Sequence, residues 1–368
     1  MNKRRIFQLV LAVLLLSLAA PAVALAYEPQ CPELTLDEAI SRALRHSRSV
    51  ERSVLDVVYA DEARDDVAVM WDPQWTVTYV PGTEGIYAAL LSADFGYDAA
   101  EKQKEIQEDI VVVETIKSYY DLLVAQGKVS SARGAVAAQE VQFEKMKAYF
   151  EAGMVPRIAF DQALTELARK RAELASAENE LDNAYAAFNL LVGLRPEDRP
   201  VLVDEPEYRE IEVSSLSSEV SSIVKDNPAQ WIADEGAELQ ERLIGFSEGG
   251  DLAEIRAEQA ELDADELRDD TLKLLYQLYY NIRTLEKTID TLAQSIELAE
   301  DNLRVTQLKF EVGMATKADL ASAENALEQT RQELFELTCQ HELLKEVFYK
   351  PWTAGVVFGS GKTGGSSS

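Results

Sequence analysis

The chain has 368 residues, 65 of them acidic against 36 basic, for a net charge of −29. Such a surface repels nucleic acid and anionic lipid. Two cysteines (Cys31, Cys339) and two histidines (His46, His341) are too few and too scattered for a metal site or a catalytic triad by spacing, so no metal, cofactor or enzyme chemistry is expected.

Lys3, Arg4 and Arg5, the apolar run from Ile6 to Ala20, and Ala24-Leu25-Ala26 before Tyr27 have the order of a secretory signal peptide over residues 1–26. A run of about 15 apolar residues falls short of the roughly 20 that span a bilayer. Cleavage removes three basic residues and no acidic one, leaving 33 basic residues against 65 acidic. Export makes a Cys31–Cys339 disulfide allowable if the two chain ends meet near the middle of the molecule; two free buried thiols are the alternative. His341 falls on an apolar heptad position, the place of a satisfied core histidine.

Leu34 begins Leu-Thr-Leu-Asp-Glu-Ala-Ile, with Thr35 as helix cap, Glu38 completing a capping box, and Leu36, Ala39, Ile40 and Ala43 on one face. A weaker echo, Leu216, Val220, Ile223 and Val224, lies 180 positions later. Between them, Trp71-Asp72-Pro73 breaks the helix, Trp75, Val77 and Tyr79 alternate with polar residues, and Pro81 to Gly85 forms a turn. A β-hairpin is expected over about 74–95, its return strand from Ile86 to Phe95.

Two nearly identical pentapeptides, Phe150-Glu151-Ala152-Gly153-Met154 and Phe310-Glu311-Val312-Gly313-Met314, then mark the tips of two helical hairpins. Steps of seven back from them meet Leu122, Val129, Val136, Phe143 and Phe150, and Ile282, Ile289, Ile296, Leu303 and Phe310. Steps forward meet Phe160, Leu167, Leu174, Leu181 and Phe188, and Leu320, Leu327, Leu334, His341 and Phe348. A sustained seven-residue repeat on both arms denotes paired coiled-coil helices. The copies keep one register, 160 positions apart, and Tyr119-Tyr120 matches Tyr279-Tyr280, so the chain is an internal duplication. It divides into a first repeat at 27–194 (tip 150–157), a second at 195–352 (tip 310–317, its strands lost), and a flexible Gly/Ser tail at 353–368. Gly359-Ser360-Gly361-Lys362-Thr363 imitates a phosphate loop, but Val356 stands where glycine is needed and no helix follows. A flank at Leu278, Leu285 and Leu292 adds a second apolar stripe, with which long helices can close side by side into a ring around a wet interior.

The signal peptide, the Leu-Thr-Leu-Asp-Glu-Ala-Ile opening, the duplicated Phe-Glu-x-Gly-Met tips and Ala318-Asp319-Leu320-x-x-Ala323 together resemble the TolC-type outer-membrane efflux protein family, over about Leu34 to Trp352. The resemblance implies a mainly α fold, with coiled-coil hairpins in two tandem repeats forming a trimeric α-barrel. It further implies a homotrimer serving as the exit duct of an efflux or type I secretion system, a passive conduit joined at its helical tips to a periplasmic adaptor and an inner-membrane pump. On that resemblance Ala152, Gly153, Met154, Val312, Gly313 and Met314 are adaptor-docking positions, and Asp319 is a pore constriction. Local chemistry also accounts for these residues: glycine closes a helix in a left-handed cap, Pro156 opens the next helix at a first-turn position, and Thr316 with Asp319 makes a cap. The family's gate-locking partners fall here on Phe310 and Ala315 and its second pore aspartate on Ser322. One hairpin per chain gives about six short strands per trimer, below the roughly eight strands of 9–11 residues that outer-membrane barrels need, so membrane association is expected to be weak. The alternative from another class is a structural coiled-coil spacer without a conducting pore.

Overall fold

The computed structural model describes residues 31–70, 83–246 and 250–359. The expected signal peptide, the outgoing strand after Trp71 and the end of the tail lie outside the described residues. In chain order the elements are β1 (Glu33–Leu34), α1 (Leu36–His46), α2 (Arg48–Ala68), α3 (Glu84–Glu151), α4 (Arg157–Leu191), β2 (Val201–Leu202), α5 (Leu216–Asp226), α6 (Pro228–Leu243), a 3-10 turn (Ile244–Phe246), α7 (Gly250–Glu311), α8 (Lys317–Tyr349), a 3-10 turn (Pro351–Thr353) and α9 (Ala354–Phe358). The order α1 to α4 recurs as α5 to α8. At 1.5 Å per residue the 68-residue α3 is roughly 100 Å long.

The expected return strand is corrected. Ile86 to Phe95 lies inside α3, whose first turn begins at Glu84. Alanines and leucines in Tyr87-Ala88-Ala89-Leu90-Leu91 favour helix, and the growing helix meets no partner strand among the described residues. The two copies differ by twenty residues because α2 has 21 residues against 16 in α6, α3 has 68 against 62 in α7, and the connection between them is longer in the first copy. The added length is therefore partly helix.

Two pseudo-equivalent cores sit where the short helices meet the middle of α3 and α7 and the C-terminal ends of α4 and α8. In the first, Leu34, Ala39, Ala43, Tyr119, Leu122 and Phe188 are buried together. In the second, Val220, Ile223, Leu278, Ile282, Val347 and Phe348 are buried together with Val113 and Ile116 of α3. Phe188 and Phe348 are 160 residues apart and both fully buried. The heptad seam loses depth toward the tips: Leu122 and Ile282 are fully buried, Val136 and Ile296 are half-buried, and Phe150 and Phe310 are exposed.

Thr35 caps α1 by accepting from the Glu38 amide at 3.2 Å, while the Glu38 carboxylate pairs with Arg42 instead of returning to the cap. The segment between the repeats carries a strand absent from the sequence expectation: β2 runs parallel to β1, pairing Glu33 with Val201 and Leu34 with Leu202. The Tyr119 hydroxyl donates to the Leu34 carbonyl at 3.3 Å and accepts from the Asp204 amide at 3.0 Å. Asp204 in turn accepts from the Leu36 amide at 2.7 Å, serving the open N-terminus of α1 from 168 residues away.

Cys31 is exposed, Cys339 is buried, and both are free in this structure. Burial, then the charges of Asp121 and Glu336, push the Cys339 thiol up to about 12, which keeps it protonated and inert. No helix of the described residues is long and apolar enough to cross a membrane.

Among the described residues four helices end on a glycine of positive φ: Gly153 (φ 70°), Gly193 (φ 74°), Gly313 (φ 74°) and Gly359 (φ 71°). A Cβ at Gly153 or Gly313 would meet open space, whereas one at Gly193 would come within 2.9 Å of the His46 ring. Gly313→Ala is expected to cost about 1 kcal/mol from backbone strain alone. Gly193→Ala should cost more because the imidazole must also move, and urea denaturation of the two variants side by side measures the difference.

Candidate functional site at the helical tips

Each tip is built by the same hydrogen bonds. At the first, Met154 N donates to Tyr149 O at 2.8 Å and Gly153 N to Phe150 O at 2.9 Å; at the second, Met314 N donates to Lys309 O at 2.7 Å and Gly313 N to Phe310 O at 3.0 Å. This is the Schellman pairing, which closes the last turn and turns the chain outward. Beneath the first tip Phe150 stacks on Phe160 at 5.0 Å between ring centroids. The turn leaves apolar side chains in solvent, with Met154 70%, Val312 70% and Met314 82% exposed. Ala152, Gly153 and Gly313 are exposed with them.

The tips differ in how their second helices start. Pro156 is the residue before α4 and lends no side-chain acceptor, one position outside the first-turn place expected for it. Its counterpart Thr316 makes a full capping box with Asp319. The Asp319 carboxylate accepts from Thr316 N at 2.8 Å and from Thr316 Oγ1 at 2.7 Å, and the Thr316 hydroxyl accepts from Asp319 N at 3.3 Å. These bonds, chiefly from Thr316, hold the Asp319 carboxyl below the ordinary aspartate range. It therefore stays ionised at neutral pH, and the capping it provides is lost only as pH falls through that lowered value.

Across the groove between hairpins, Lys145 of α3 reaches the Thr316 hydroxyl at 3.4 Å and stands 4.0 Å from Asp319. Gln142 donates to the Ala318 carbonyl at 3.2 Å. Farther from the tip, Lys128 pairs with Glu336 at 3.0 Å and Gln332 donates to the Val124 carbonyl at 3.2 Å. Gly127 admits this last contact, since a Cβ there would meet the Gln332 amide oxygen at 2.0 Å. The first hairpin is thus joined to α8 by polar contacts along much of its length.

The face of α7 equivalent to this α3 face has no cover among the described residues. Stepping back in sevens from Val312 gives Val305 and Leu298, 70%, 43% and 72% exposed. Their counterparts 160 positions earlier are Ala152, Lys145 and Ala138. The expected flank works differently: Leu278 is buried in the second core and Leu285 packs against it, so that part of the stripe serves the chain itself. The open track was legible by counting heptads from Val312, two positions off the Phe310 seam. Among the described residues no group of three or more His, Cys, Asp or Glu side chains could hold a metal ion.

Long paired hairpins in tandem, with one coiled-coil face spent inside the chain and an equivalent face left open, define a wall segment of a helical duct. The outer membrane efflux protein family model matches residues 84–194 and 247–342, more than half of the chain, and the chain belongs to that family. Solved structures agree in fold at low identity. CusC is similar at 14% identity with a TM-score of 0.68, covering 88% of this chain and 94% of its own. The open-state outer membrane channel MtrE of Neisseria gonorrhoeae gives 14% and 0.67, covering 87% and 89%. A membrane protein from Pseudomonas aeruginosa gives 13% and 0.70, covering 88% and 91%. No curated protein matches by sequence. The protein is accordingly an exported component of the cell envelope and an exit duct for efflux, a passive conduit and not an enzyme. Channels of this family work as trimers with adaptor and inner-membrane pump partners. A spacer without a pore is not favoured.

Proposed function

We propose that this chain forms a homotrimeric duct whose tips dock a periplasmic adaptor and whose entrance is narrowed by Asp319. The open apolar track Leu298–Val305–Val312 carries the reading. Duplication makes α7 the counterpart of α3 and α4 the counterpart of α8. Within the chain α3 packs on α8, so the matching partner for the free face of α7 is α4 of a second copy. That contact joins different faces of two identical chains and closes a ring when repeated. Transferring Lys145–Thr316 by the same offset puts Val305 against Pro156 of the neighbour. The junction inside a chain carries the polar contacts and the junction between chains would be more apolar, which suits Ile158, exposed on α4 at the position equivalent to the buried Ala318.

The pairing is tested by cross-linking. With Cys31 and Cys339 replaced by serine, Val305→Cys combined with Pro156→Cys is expected to give dimer and trimer bands on a non-reducing gel, while either single variant stays monomeric. Absence of cross-linked bands in the double variant would count against ring closure through this face.

Three Asp319 carboxylates around the axis would favour cations at the entrance. Asp319→Asn keeps one acceptor oxygen for Thr316, so the helix start is expected to survive while cation preference falls. Reversal potentials of the reconstituted duct in a salt gradient measure this, and unchanged selectivity would leave the residue with its capping role alone.

A further inference from the structure

The connection between the repeats, residues 203–215, is fixed at both of its ends. Near β2 it belongs to the first repeat, through Tyr119 and the Asp204 contact with α1. Near Ile211 it belongs to the second, through a buried ionic cluster. There His341 of α8 is fully buried, its Nδ1 3.0 Å from Glu342 Oε1 and its Nε2 3.3 Å from Glu286 Oε1. Glu286 of α7, itself buried, accepts from the Ile211 amide at 2.7 Å and pairs with Arg283 at 2.5 Å. Arg283 also lies 3.5 Å from Glu210 of the connection. Glu342 accepts from the Arg209 amide at 3.4 Å and from Lys345, whose ammonium also donates to the Arg209 carbonyl at 2.8 Å. The Tyr208 ring lies 5.0 Å from the imidazole between centroids.

We infer that His341, Glu286 and Glu342 form a proton-dependent staple that binds the connection to the second hairpin and so holds the two repeats together. The geometry carries the inference. A neutral imidazole has one N–H and would turn its other lone pair toward a carboxylate oxygen. Both ring nitrogens here face such oxygens, and both contacts are hydrogen bonds only when each nitrogen bears a proton. With the imidazolium, each ring nitrogen donates to one of the carboxylates of Glu286 and Glu342 and its positive charge lies between them. Without it, one nitrogen's lone pair faces a carboxylate oxygen with no proton between them beside a fully buried ring, which is costly.

The remaining neighbours do not supply that charge. Asp290 of α7 adds to the negative potential at Tyr208. Burial, followed by the charge of Glu286, pushes the Tyr208 hydroxyl up to about 12. Burial and Glu342 push Tyr120 of α3 up to about 12. Both phenols therefore stay neutral across the physiological range. Burial raises Glu342, but the hydrogen bonds from His341 and Lys345 outweigh it and hold the carboxyl below its ordinary value.

The sign follows from which proton is lost. A histidine that gains partners on folding stabilises the fold while it is charged, and that contribution goes as pH rises and the imidazolium deprotonates. Glu342 acts oppositely, and its share is lost only in acid. The staple is thus closed while both ring nitrogens carry protons and loosens once one is lost, freeing Glu207 to Ile211 while the Asp204 end stays held.

The test uses the full mature chain with its two histidines labelled with nitrogen-15 in the ring, the signals assigned with His341→Gln. The expected spectrum, taken at the pH where residues 207–211 are most protected, has two N–H signals for His341; a single tautomer there would overturn the inference. Hydrogen exchange of the connection, corrected for intrinsic rate, is expected to quicken with alkali for residues 207–211 and not for 201–204. His341→Leu should exchange about tenfold faster at 207–211 with no pH dependence. Should that variant not fold, Glu342→Gln, which keeps the shape and one acceptor, must lower the pH at which the connection opens. Exchange independent of pH in the unsubstituted protein, or an unshifted opening in Glu342→Gln, would likewise overturn it.

Discussion

Replacing Phe348 with alanine is expected to lower the stability of the protein by about 3–5 kcal/mol, a large fraction of what a domain typically has. The ring is fully buried among Val347, Leu344, Ile282 and the short helix α5, and Tyr279 packs against it with centroids 6.3 Å apart. Deleting it removes apolar contact from both hairpins at once and leaves a cavity that long helices held at several points cannot close. Phe188→Ala should cost a similar amount by the same argument, since that ring is equally buried and meets Tyr119 edge-on at 6.0 Å. Phe150→Ala, in the same heptad series, should cost about 1 kcal/mol or less, because the tip leaves that ring exposed and stacked on Phe160 alone. Urea unfolding at fixed protein concentration measures all three. Equal losses would mean that the seam is uniformly loaded, contrary to its gradient of burial.

A carboxylate placed at the tips is expected to act on association and leave the fold intact. Met154→Glu with Met314→Glu puts two charges at positions 70% and 82% exposed, and the Schellman hydrogen bonds that these residues donate use only their backbone atoms. Helical content should therefore be unchanged. Adaptor binding, if these methionines are buried on docking, should weaken about thirtyfold, the loss of one hot-spot contact of ~2 kcal/mol. Binding of the purified adaptor to immobilised duct gives the number. Unchanged affinity with unchanged circular dichroism would move the docking surface away from the tips.

Periodicity made the long arms, their pairing and their common register legible, because a coiled-coil seam is written in every seventh residue and does not depend on distant contacts. The glycine tips were legible for a similar reason: a left-handed residue after a helix is a local demand, met at Gly153 and Gly313 alike. The stretch from Ile86 to Phe95 fits a strand because a short apolar run suits either period, and only its continuation into the rest of the 68-residue α3 decided the matter. Strand β2 could not be read at all, since two residues paired in parallel with a segment 168 positions away carry no pattern of their own. Cys31 and Cys339 showed that a pairing is permitted, but their side chains ended on opposite sides of the burial boundary.

The duplication, the hairpin architecture and the two tips follow from the amino-acid sequence by itself, because helix period, heptad spacing and capping act over a few residues at a time. Tertiary structure alone decided which equivalent face is occupied within the chain and which is left open to solvent. Lys145 and Val305 stand at the same repeat position, yet one meets α8 and the other meets solvent, since a tandem pair has two outer faces and only one internal junction. It alone also turned His341, an irregularity in an apolar series, into the centre of an ionic cluster: the partners Glu286 and Ile211 come from elements 55 and 130 residues away, and no spacing along the chain announces such a meeting.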